Sequence, residues 1–268
     1  MLNRLLVPLD GSRLSEEALP LATRLTEANR GSLILMHAIT PSEYFSATAA
    51  QYLHEDRRRS ALYLQQLAER LGRTTFGVQE RILTGEPSQE IVAEAKRSRA
   101  DLIAMSTHAR NGIREWAFGS VSERVLRSTN VPVLVLPGQL RKGTSIRKIL
   151  VALDASDDTL ESIIPAADLA AAFDASVVLA HVGKEPPPTF PMAEKLLLQH
   201  RRTFETLLLR GDPAEALLQA LDDEKADLLA LATTGKSNGG PITFGAVAER
   251  LLKSAKCPLL VVHTGTTA

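Results

Sequence analysis

A long internal repeat constrains the fold of this 268-residue chain more than any other feature. The segment RLLVPLDGS at 4–12 returns as KILVALDAS at 148–156, which is 144 residues later. Farther along, FGSVSERVLRSTNVPVLVL at 118–136 returns as FGAVAERLLKSAKCPLLVV at 244–262, only 126 residues later. Solenoid repeats have periods of roughly 20–50 residues. The much longer period here predicts two homologous domains in tandem.

The change of offset locates a deletion in the second unit. An offset that falls from 144 to 126 makes this unit 18 residues shorter, and the loss lies between His181 and Gly211. The polar segment PGQLRKGTSIRK at 137–148 has the glycines and proline of a linker. We therefore predict a first domain at 1–138 and a second at 146–268, shortened between its second and third strands.

Short apolar runs alternate with amphipathic stretches in each unit. In the first unit we predict strands near 4–9, 32–38, 78–83, 101–106 and 132–136. We predict helices near 14–28, 51–71, 88–98 and 119–128. The strands are rich in Leu, Ile and Val on both faces, as buried parallel strands are. The expected fold is α/β, with two tandem Rossmann-like domains, each a five-stranded parallel sheet with helices on both faces.

Charge and composition exclude several classes of partner. The chain has 31 basic and 31 acidic residues, so it has no global attraction to nucleic acid or to an anionic membrane. No apolar run is long enough for a transmembrane helix, and no signal peptide is evident. Cys257 is the single cysteine, so no intrachain disulfide can form. We expect a cytoplasmic protein without nucleic-acid or membrane partners.

In an open parallel sheet, ligands bind beyond the carboxyl ends of the strands. The first strand of each unit ends in an aspartate, Asp10 or Asp154, which could accept hydrogen bonds from a ligand or cap the following helix. The second strands contain His37 and His181. No second His or Cys lies at metal-ligand spacing from them, so we interpret both as core residues and predict no metal site.

The loop after the fourth strand is the candidate phosphate site. Glycines there would let backbone N–H groups approach a phosphate, and the following helix start would favour its charge. The first unit reads MSTHARNGIREWAFGSV at 105–121 and the second reads ATTGKSNGGPITFGAV at 232–247. Each unit therefore has only part of a glycine-rich loop.

Taken together, these features resemble the universal stress protein family over nearly the whole chain, twice. The resemblance rests on VPLDGS at 7–12, the strand-two histidine, the G-x-P before a helix, the strand-four loop and the final strands. ATP-binding members of that family carry G-x2-G-x9-G-[ST] in the loop. Here the first unit reads Ser106-x2-Ala109-x9-Gly119-Ser120, and the second reads Ala232-x2-Gly235-x9-Gly245-Ala246.

The resemblance implies an adenine nucleotide alpha hydrolase-like fold and a possible site for ATP, with Mg²⁺, in each unit. Asp10 would lie near adenine or ribose, Ala38 at the adenine edge and Ser106 next to ribose. The complete set implied for the first unit is Pro8, Asp10, Ala38, Ser106, Ala109, Gly119, Ser120 and Val121. The set for the second unit is Asp154, Val182, Ala232, Gly235, Gly245, Ala246 and Val247.

The departures from the family pattern weaken both sites without abolishing them. If the position of Ala109 requires a positive φ, its side chain costs about 1 kcal/mol there. Ala246 lacks a hydroxyl whose hydrogen bond would be worth roughly 0.5–1.5 kcal/mol. We therefore expect adenine-nucleotide binding in at least one unit.

Three functions stay open at this point. The first is a stress-response regulator that binds ATP or a related adenine nucleotide without an obvious reaction. The second is a scaffold of the same fold that acts through protein partners and binds no nucleotide. The third is a weak ATPase, which we rank last because the chain has no Ser-His-Asp set and no Walker G-K-[ST] loop.

The final strands, VPVLVLP and CPLLVV, predict how the units assemble. Both are apolar and need a cover. The resemblance implies pairing through this strand, so we expect the two units to form a pseudo-dimer within one chain. A homodimer of two chains remains open.

Overall fold

The computed structural model describes residues 2–40, 49–72, 77–107, 119–137, 145–234 and 244–264. Its strands are β1 Arg4–Leu9, β2 Ser32–Ile39, β3 Val78–Thr84, β4 Leu102–Thr107, β5 Val133–Pro137, β6 Lys148–Ala152, β7 Ser176–Val182, β8 Phe204–Leu209, β9 Leu228–Thr234 and β10 Leu259–Thr264. Its α-helices are α1 Leu19–Asn29, α2 Ala49–Leu71, α3 Pro87–Arg97, α4 Ser120–Leu126, α5 Ile163–Phe173, α6 Phe190–Gln199, α7 Pro213–Asp223 and α8 Ala246–Ser254.

All these strands belong to one ten-stranded sheet with the order β3-β2-β1-β4-β5-β10-β9-β6-β7-β8. Within each half the pairs are parallel. The halves join where β5 and β10 pair antiparallel, with Leu259 opposite Val135 and Val261 opposite Val133. The palindromic order reflects two equal units related by a pseudo-two-fold. The predicted α/β fold and the internal pairing through the final strands are confirmed.

Two apolar layers cover the two faces of the sheet. Alternate strand residues face opposite layers, so Leu5 belongs to the layer that includes α1, α2, α5 and α6, whereas Leu6 belongs to the layer that includes α3, α4, α7 and α8. Each layer includes strands and helices of both halves. The two units therefore share a continuous core and not only an edge.

The strands lie within one residue of their predicted limits, but the first helix differs. We predicted one helix over 14–28, whereas the chain forms a 3-10 turn at Ser15–Ala18 and enters α1 only at Leu19. Pro20 lies in the first turn of α1. A proline lacks a backbone N–H and is tolerated there but not deeper in a helix. This explains why the α-helix starts next to Pro20.

The predicted shortening appears in the second helix of the second half. Helix α2 has 23 residues, whereas its counterpart α6 has 10. The outer strand β8 is correspondingly less covered, and Leu208 on it is 38% exposed. The domain limits at 138 and 146 fall between β5 and β6 and stay a prediction.

Candidate functional site

A cavity of about 320 Å³ lies at the carboxyl ends of β1, β2 and β4, beside the starts of α3 and α4. Strand β1 has β2 on one side and β4 on the other, so the chain reverses its strand order here. Such a reversal is where open α/β sheets bind ligands. The lining residues are Pro8, Leu9, Asp10, Ser15, Met36, Ala38, Pro87, Ile91, Met105, Ser106, Gly119, Ser120, Val121 and Ser122.

The cavity brings together most of the positions that the sequence singled out in the first half. Those that line it are Pro8, Asp10, Ala38, Ser106, Gly119, Ser120 and Val121. Ala109 lies outside the described residues. The nucleotide-binding role of these residues stays a prediction, but their convergence on one concave surface is a structural fact.

Sequence reasoning missed the apolar wall of the cavity. Met36, Pro87, Ile91 and Met105 contribute to it. Pro87 stood out only as part of the G-x-P before a helix, and the other three have the pattern of ordinary core residues. The sequence did indicate that Met36 faces the cavity. Met36 precedes the predicted site residue Ala38 by two positions on β2, and residues two apart on a strand face the same side. No comparable signal marked Ile91, since its place depends on how α3 packs on the sheet.

The turn after β1 fixes the carboxylate of Asp10. Asp10 Oδ1 accepts a hydrogen bond from Ser12 N at 2.9 Å. Gly11 between them has φ of +83°, in the left-handed region that glycine adopts readily. Asp154 Oδ1 accepts the same bond from Ser156 N at 2.7 Å in the second half. Each aspartate therefore stabilises its own turn at the strand end.

The histidines of β2 and β7 are each hydrogen-bonded to a backbone carbonyl. Nδ1 of His37 lies 2.9 Å from the Leu9 carbonyl oxygen, and Nδ1 of His181 lies 2.9 Å from that of Leu153. A carbonyl oxygen only accepts, so Nδ1 carries the proton in both rings. Each histidine thus ties β2 or β7 to the end of the neighbouring first strand. In the part of the chain that the structure describes, no three potential metal-ligating side chains cluster.

An ion pair links the two helices that flank the cavity. Glu86 caps α3 by accepting from Gln89 N at 2.9 Å, and its other oxygen lies 3.0 Å from Nη1 of Arg124 on α4. The second half repeats the arrangement, with Asp212 as the cap of α7 and Nη1 of Arg250 at 2.8 Å. The apolar wall at Pro87 is thereby fixed relative to the start of α4.

Among the cavity's buried serines, Ser106 differs from Ser15 and Ser122 in its hydrogen bonding. Ser122 Oγ donates to the Gly119 carbonyl at 2.9 Å, and Ser15 Oγ donates to the Ser12 carbonyl at 2.9 Å. Ser106 is 8% exposed, and its buried Oγ has no hydrogen-bond partner among the described residues. The buried hydroxyl of Ser106 at the cavity therefore has no hydrogen-bond partner among the described residues.

In the second half the predicted residues lie at the carboxyl ends of its own strands, which is the opposite end of the sheet from the first-half cavity because β5 and β10 pair antiparallel. Asp154 follows β6, Val182 ends β7, Ala232 lies in β9, Gly245 precedes α8, and Ala246 and Val247 form its exposed first turn. Gly235 lies outside the described residues. The hydroxyls differ, because the positions of Ser106, Ser120 and Ser122 hold Ala232, Ala246 and Ala248.

Gly245 is not required by the backbone or by packing. Its φ is −63°, which any residue adopts. A Cβ added there would meet no described atom within 4 Å. No residue that the structure describes occupies the space next to the Gly245 Cα.

The start of α8 in the second half packs against the end of α4 in the first half. Cζ of Arg127 lies 4.6 Å from the centroid of the Phe244 ring, and that ring lies 5.8 Å from the ring of His263. Nδ1 of His263 is 2.7 Å from Thr233 Oγ1, and burial lowers the pKa of His263 to about 4. A guanidinium of the first half thus lies over an aromatic ring of the second half.

Comparison with known proteins places these features in a family. The sequence model of the universal stress protein family matches residues 1–137 and 192–263. A universal stress protein of Methanocaldococcus jannaschii is 31% identical over 151 residues, which cover 48% of this chain and 89% of that protein. One of Mycolicibacterium smegmatis is 24% identical over 291 residues, which cover 97% of this chain and 96% of that protein.

A solved structure agrees over the full length. The crystal structure of a universal stress protein from Archaeoglobus fulgidus superimposes with a TM-score of 0.83 at 19% identity, covering 99% of this chain and 100% of that one. At this identity the match shows the shared fold. No described helix combines the length and apolar character that crossing a membrane requires. Because the family model accounts for more than half of its residues, this chain belongs to the universal stress protein family, as a tandem form with two family units in one sheet.

Proposed function

We propose that the first half of this universal stress protein binds ATP or a related adenine nucleotide in the cavity at the ends of β1, β2 and β4. We propose further that the protein acts as a stress-response regulator and not as an enzyme. The observation that carries the proposal is the convergence of an apolar wall, a carboxylate and a Gly-Ser pair on one cavity.

The chemistry of the lining suits a nucleotide. Met36, Ala38 and Ile91 provide an apolar surface for a purine ring. Gly119 and Ser120, at the start of α4, provide backbone N–H groups and a hydroxyl for phosphate oxygens. A volume of about 320 Å³ falls at the lower end of the range for small-molecule sites. Mg²⁺ would enter with the phosphates, since it usually binds substrate phosphates with few protein ligands.

The second half is the weaker candidate. Its three alanines remove every hydroxyl that Ser106, Ser120 and Ser122 bring to the first-half cavity. Val182 also stands at the position equivalent to Ala38, and its larger side chain leaves less room for a purine ring. We therefore propose one nucleotide per chain, bound in the first half.

The lining offers little for hydrolysis. Asp10 is the sole ionisable side chain among the described residues that line the cavity, and it already stabilises its own turn. General acid–base catalysis needs positioned groups that can exchange protons with the reacting atoms. A binding and signalling role fits this lining better than an ATPase does.

Calorimetry with a matched pair of variants tests the proposal. The nucleotide-stripped chain is titrated with Mg-ATP beside Gly119→Val and Gly245→Val. A valine at Gly119 would crowd the cavity, and overpacking of 1–3 kcal/mol should weaken binding by about ten-fold or more. Gly245→Val should bind as the wild type does. It is a clean control because a Cβ there meets no described atom within 4 Å.

Two results would contradict the proposal. If the wild type shows no binding up to about 1 mM ATP, an affinity too weak for a nucleotide sensor, the scaffold function takes its place. If Gly245→Val abolishes binding while Gly119→Val does not, the site lies in the second half. Circular dichroism of both variants confirms that they are folded.

A further inference from the structure

We propose that the hydroxyl of Ser106 hydrogen-bonds a sugar hydroxyl of the bound nucleotide and so selects ribonucleotides over their deoxy counterparts. This inference rests on the proposed function and refines its ligand class. Ser106 on β4 thereby becomes a specificity-determining residue.

The place of Ser106 in the sheet supports a contact with the sugar. Strands β2, β1 and β4 are adjacent in that order. Met36 and Ala38 line the cavity from β2, while Gly119 and Ser120 lie at the start of α4, which follows β4 in the chain. Asp10, after β1, and Ser106, on β4, also line the cavity, and β1 lies between β2 and β4. A nucleotide with its base on the β2 residues and its phosphates at Gly119 therefore places its sugar over β1 and β4.

Hydrogen bonding distinguishes Ser106 from the other buried serines that line the cavity. Ser15 and Ser122 each donate to a backbone carbonyl at 2.9 Å, so the protein already uses their protons. Ser106 is more than nine-tenths buried, and its Oγ has no partner in the described ranges. Rotation about the Cα–Cβ bond between staggered positions redirects this hydroxyl toward the cavity that Ser106 lines.

An unpaired buried hydroxyl also makes a prediction for the free protein. Leaving a buried polar group without a partner is unfavourable, whereas removing it is nearly neutral or stabilising. Ser106→Ala should therefore be at least as stable to urea as the wild type in the absence of nucleotide. A hydroxyl that serves the fold would give the opposite result.

The test pairs the variant with ligands that lack single sugar hydroxyls. Mg-ATP, 2′-deoxy-ATP and 3′-deoxy-ATP are each titrated into the wild-type full chain and into Ser106→Ala. For the wild type, loss of the contacted sugar hydroxyl should weaken binding by about five-fold, a typical value for one neutral hydrogen bond. In Ser106→Ala, ATP and that deoxy analogue should bind equally, because the partner is already gone.

A neighbouring residue supplies the control. Thr107 follows Ser106 on β4 and donates to the Leu136 carbonyl at 3.3 Å, outside the cavity. Thr107→Val also removes one buried hydroxyl, and it should keep the wild-type preference among the three ligands. If Thr107→Val keeps this preference, the discrimination between ATP and its deoxy analogues depends on the hydroxyl of Ser106 and not on any buried hydroxyl of β4.

The outcomes separate this inference from the proposed function. If the wild type binds ATP but does not distinguish the three ligands, the inference is overturned and the proposed function stands. The same holds if Ser106→Ala weakens all three ligands equally, since the hydroxyl then contacts another part of the nucleotide. If the wild type binds none of them, both fail.

Discussion

His263 shows how the fold controls the charge of a single residue. It lies near the end of β10 and is 6% exposed, with Thr233 on its Nδ1 and the Phe244 ring beside it. Burial lowers the pKa of His263 from 6.5 to about 4. The ring is therefore neutral in the folded protein at pH 7, and the nearby guanidinium of Arg127 does not face a second positive charge.

A pH dependence of stability follows from this shift. The unfolded chain protonates His263 near pH 6.5, whereas the folded chain does so only near pH 4. The unfolded state binds more protons between these values, so the free energy of unfolding falls as the pH drops from 6.5 to 4. The full effect is about 3 kcal/mol.

Urea unfolding at several pH values measures this dependence. His263→Gln keeps a polar group near Thr233 but does not titrate, so its stability should change less between pH 6.5 and 4 than that of the wild type. Carboxylates titrate in both proteins, and the difference between the two curves isolates His263. Parallel curves would mean that the folded chain protonates this ring as readily as the unfolded chain.

The candidate site could be predicted only where residue type carries the signal. Asp10, Gly119 and Ser120 stand out because a carboxylate or a Gly-Ser pair at a strand or helix end is chemically distinctive. Met36 and Ile91 look like any other core residue, and only packing shows that they face a cavity. The uncommitted state of Ser106 was also hidden, because hydrogen-bond partners come from the folded structure.

Helix α2 carries two leucines whose burial, and therefore expected contribution to the stability of the protein, differs. Leu64 on its inner face is fully buried in the layer over β2 and β3, whereas Leu62, two residues earlier, is 51% exposed. Residues two apart on a helix face different sides. The same side chain therefore serves the core at one position and meets solvent at the other.

Alanine substitution at these two leucines measures the difference. Leu64→Ala should lower the free energy of unfolding by about 2–5 kcal/mol, because it leaves a cavity in a packed core. Leu62→Ala should change it by less than about 0.5 kcal/mol. Urea denaturation of both variants gives the values. Equal losses would show that α2 does not pack on the sheet as described.

The strands were more predictable than the helices for a physical reason. A buried parallel strand is a short apolar run with sharp ends, and the predicted limits agree with the strands of the first half within one residue. Helix ends depend on capping residues and on the position of prolines, which the apolar pattern does not show. The predicted helix at 119–128 is observed as α4 over Ser120–Leu126, and the first helix starts beside Pro20. Composition alone does not resolve these ends.

At the scale of the whole molecule, the shared sheet makes the two halves one folding unit. The β5–β10 pair lies at the centre of the ten strands, and both apolar layers run across it. Val133, Leu134 and Val135 of the first half are fully buried, as are Leu259, Leu260 and Val261 of the second. Separating the halves would expose these strands, and exposed apolar edges are unfavourable.

Differential scanning calorimetry tests this coupling. We expect a single transition whose calorimetric enthalpy equals its van't Hoff enthalpy, because the halves unfold together. Two transitions, or a calorimetric enthalpy about twice the van't Hoff value, would mean that the halves unfold independently. Leu64→Ala should shift the whole transition and not only part of it.

The repeat itself was fully visible in the sequence, and with it the symmetry of the molecule. What the sequence left open was which unit binds a ligand, since each carries only part of the glycine pattern. The structure shows that Ser106, Ser120 and Ser122 line one cavity in the first half, and their counterparts in the second half are Ala232, Ala246 and Ala248. This difference in hydroxyl groups is the reason for proposing the first half as the nucleotide site.

Hydrogen–deuterium exchange of the full chain, with and without Mg-ATP, tests the central claim most directly. The account predicts slower exchange on ATP addition in peptides that carry Asp10, Ala38, Ser106 and Ser120, which line the cavity. Peptides with the equivalent Asp154, Val182, Ala232 and Ala246 should not change. Protection confined to the second half, or no protection at saturating ATP, would contradict the claim that the first half is a nucleotide site.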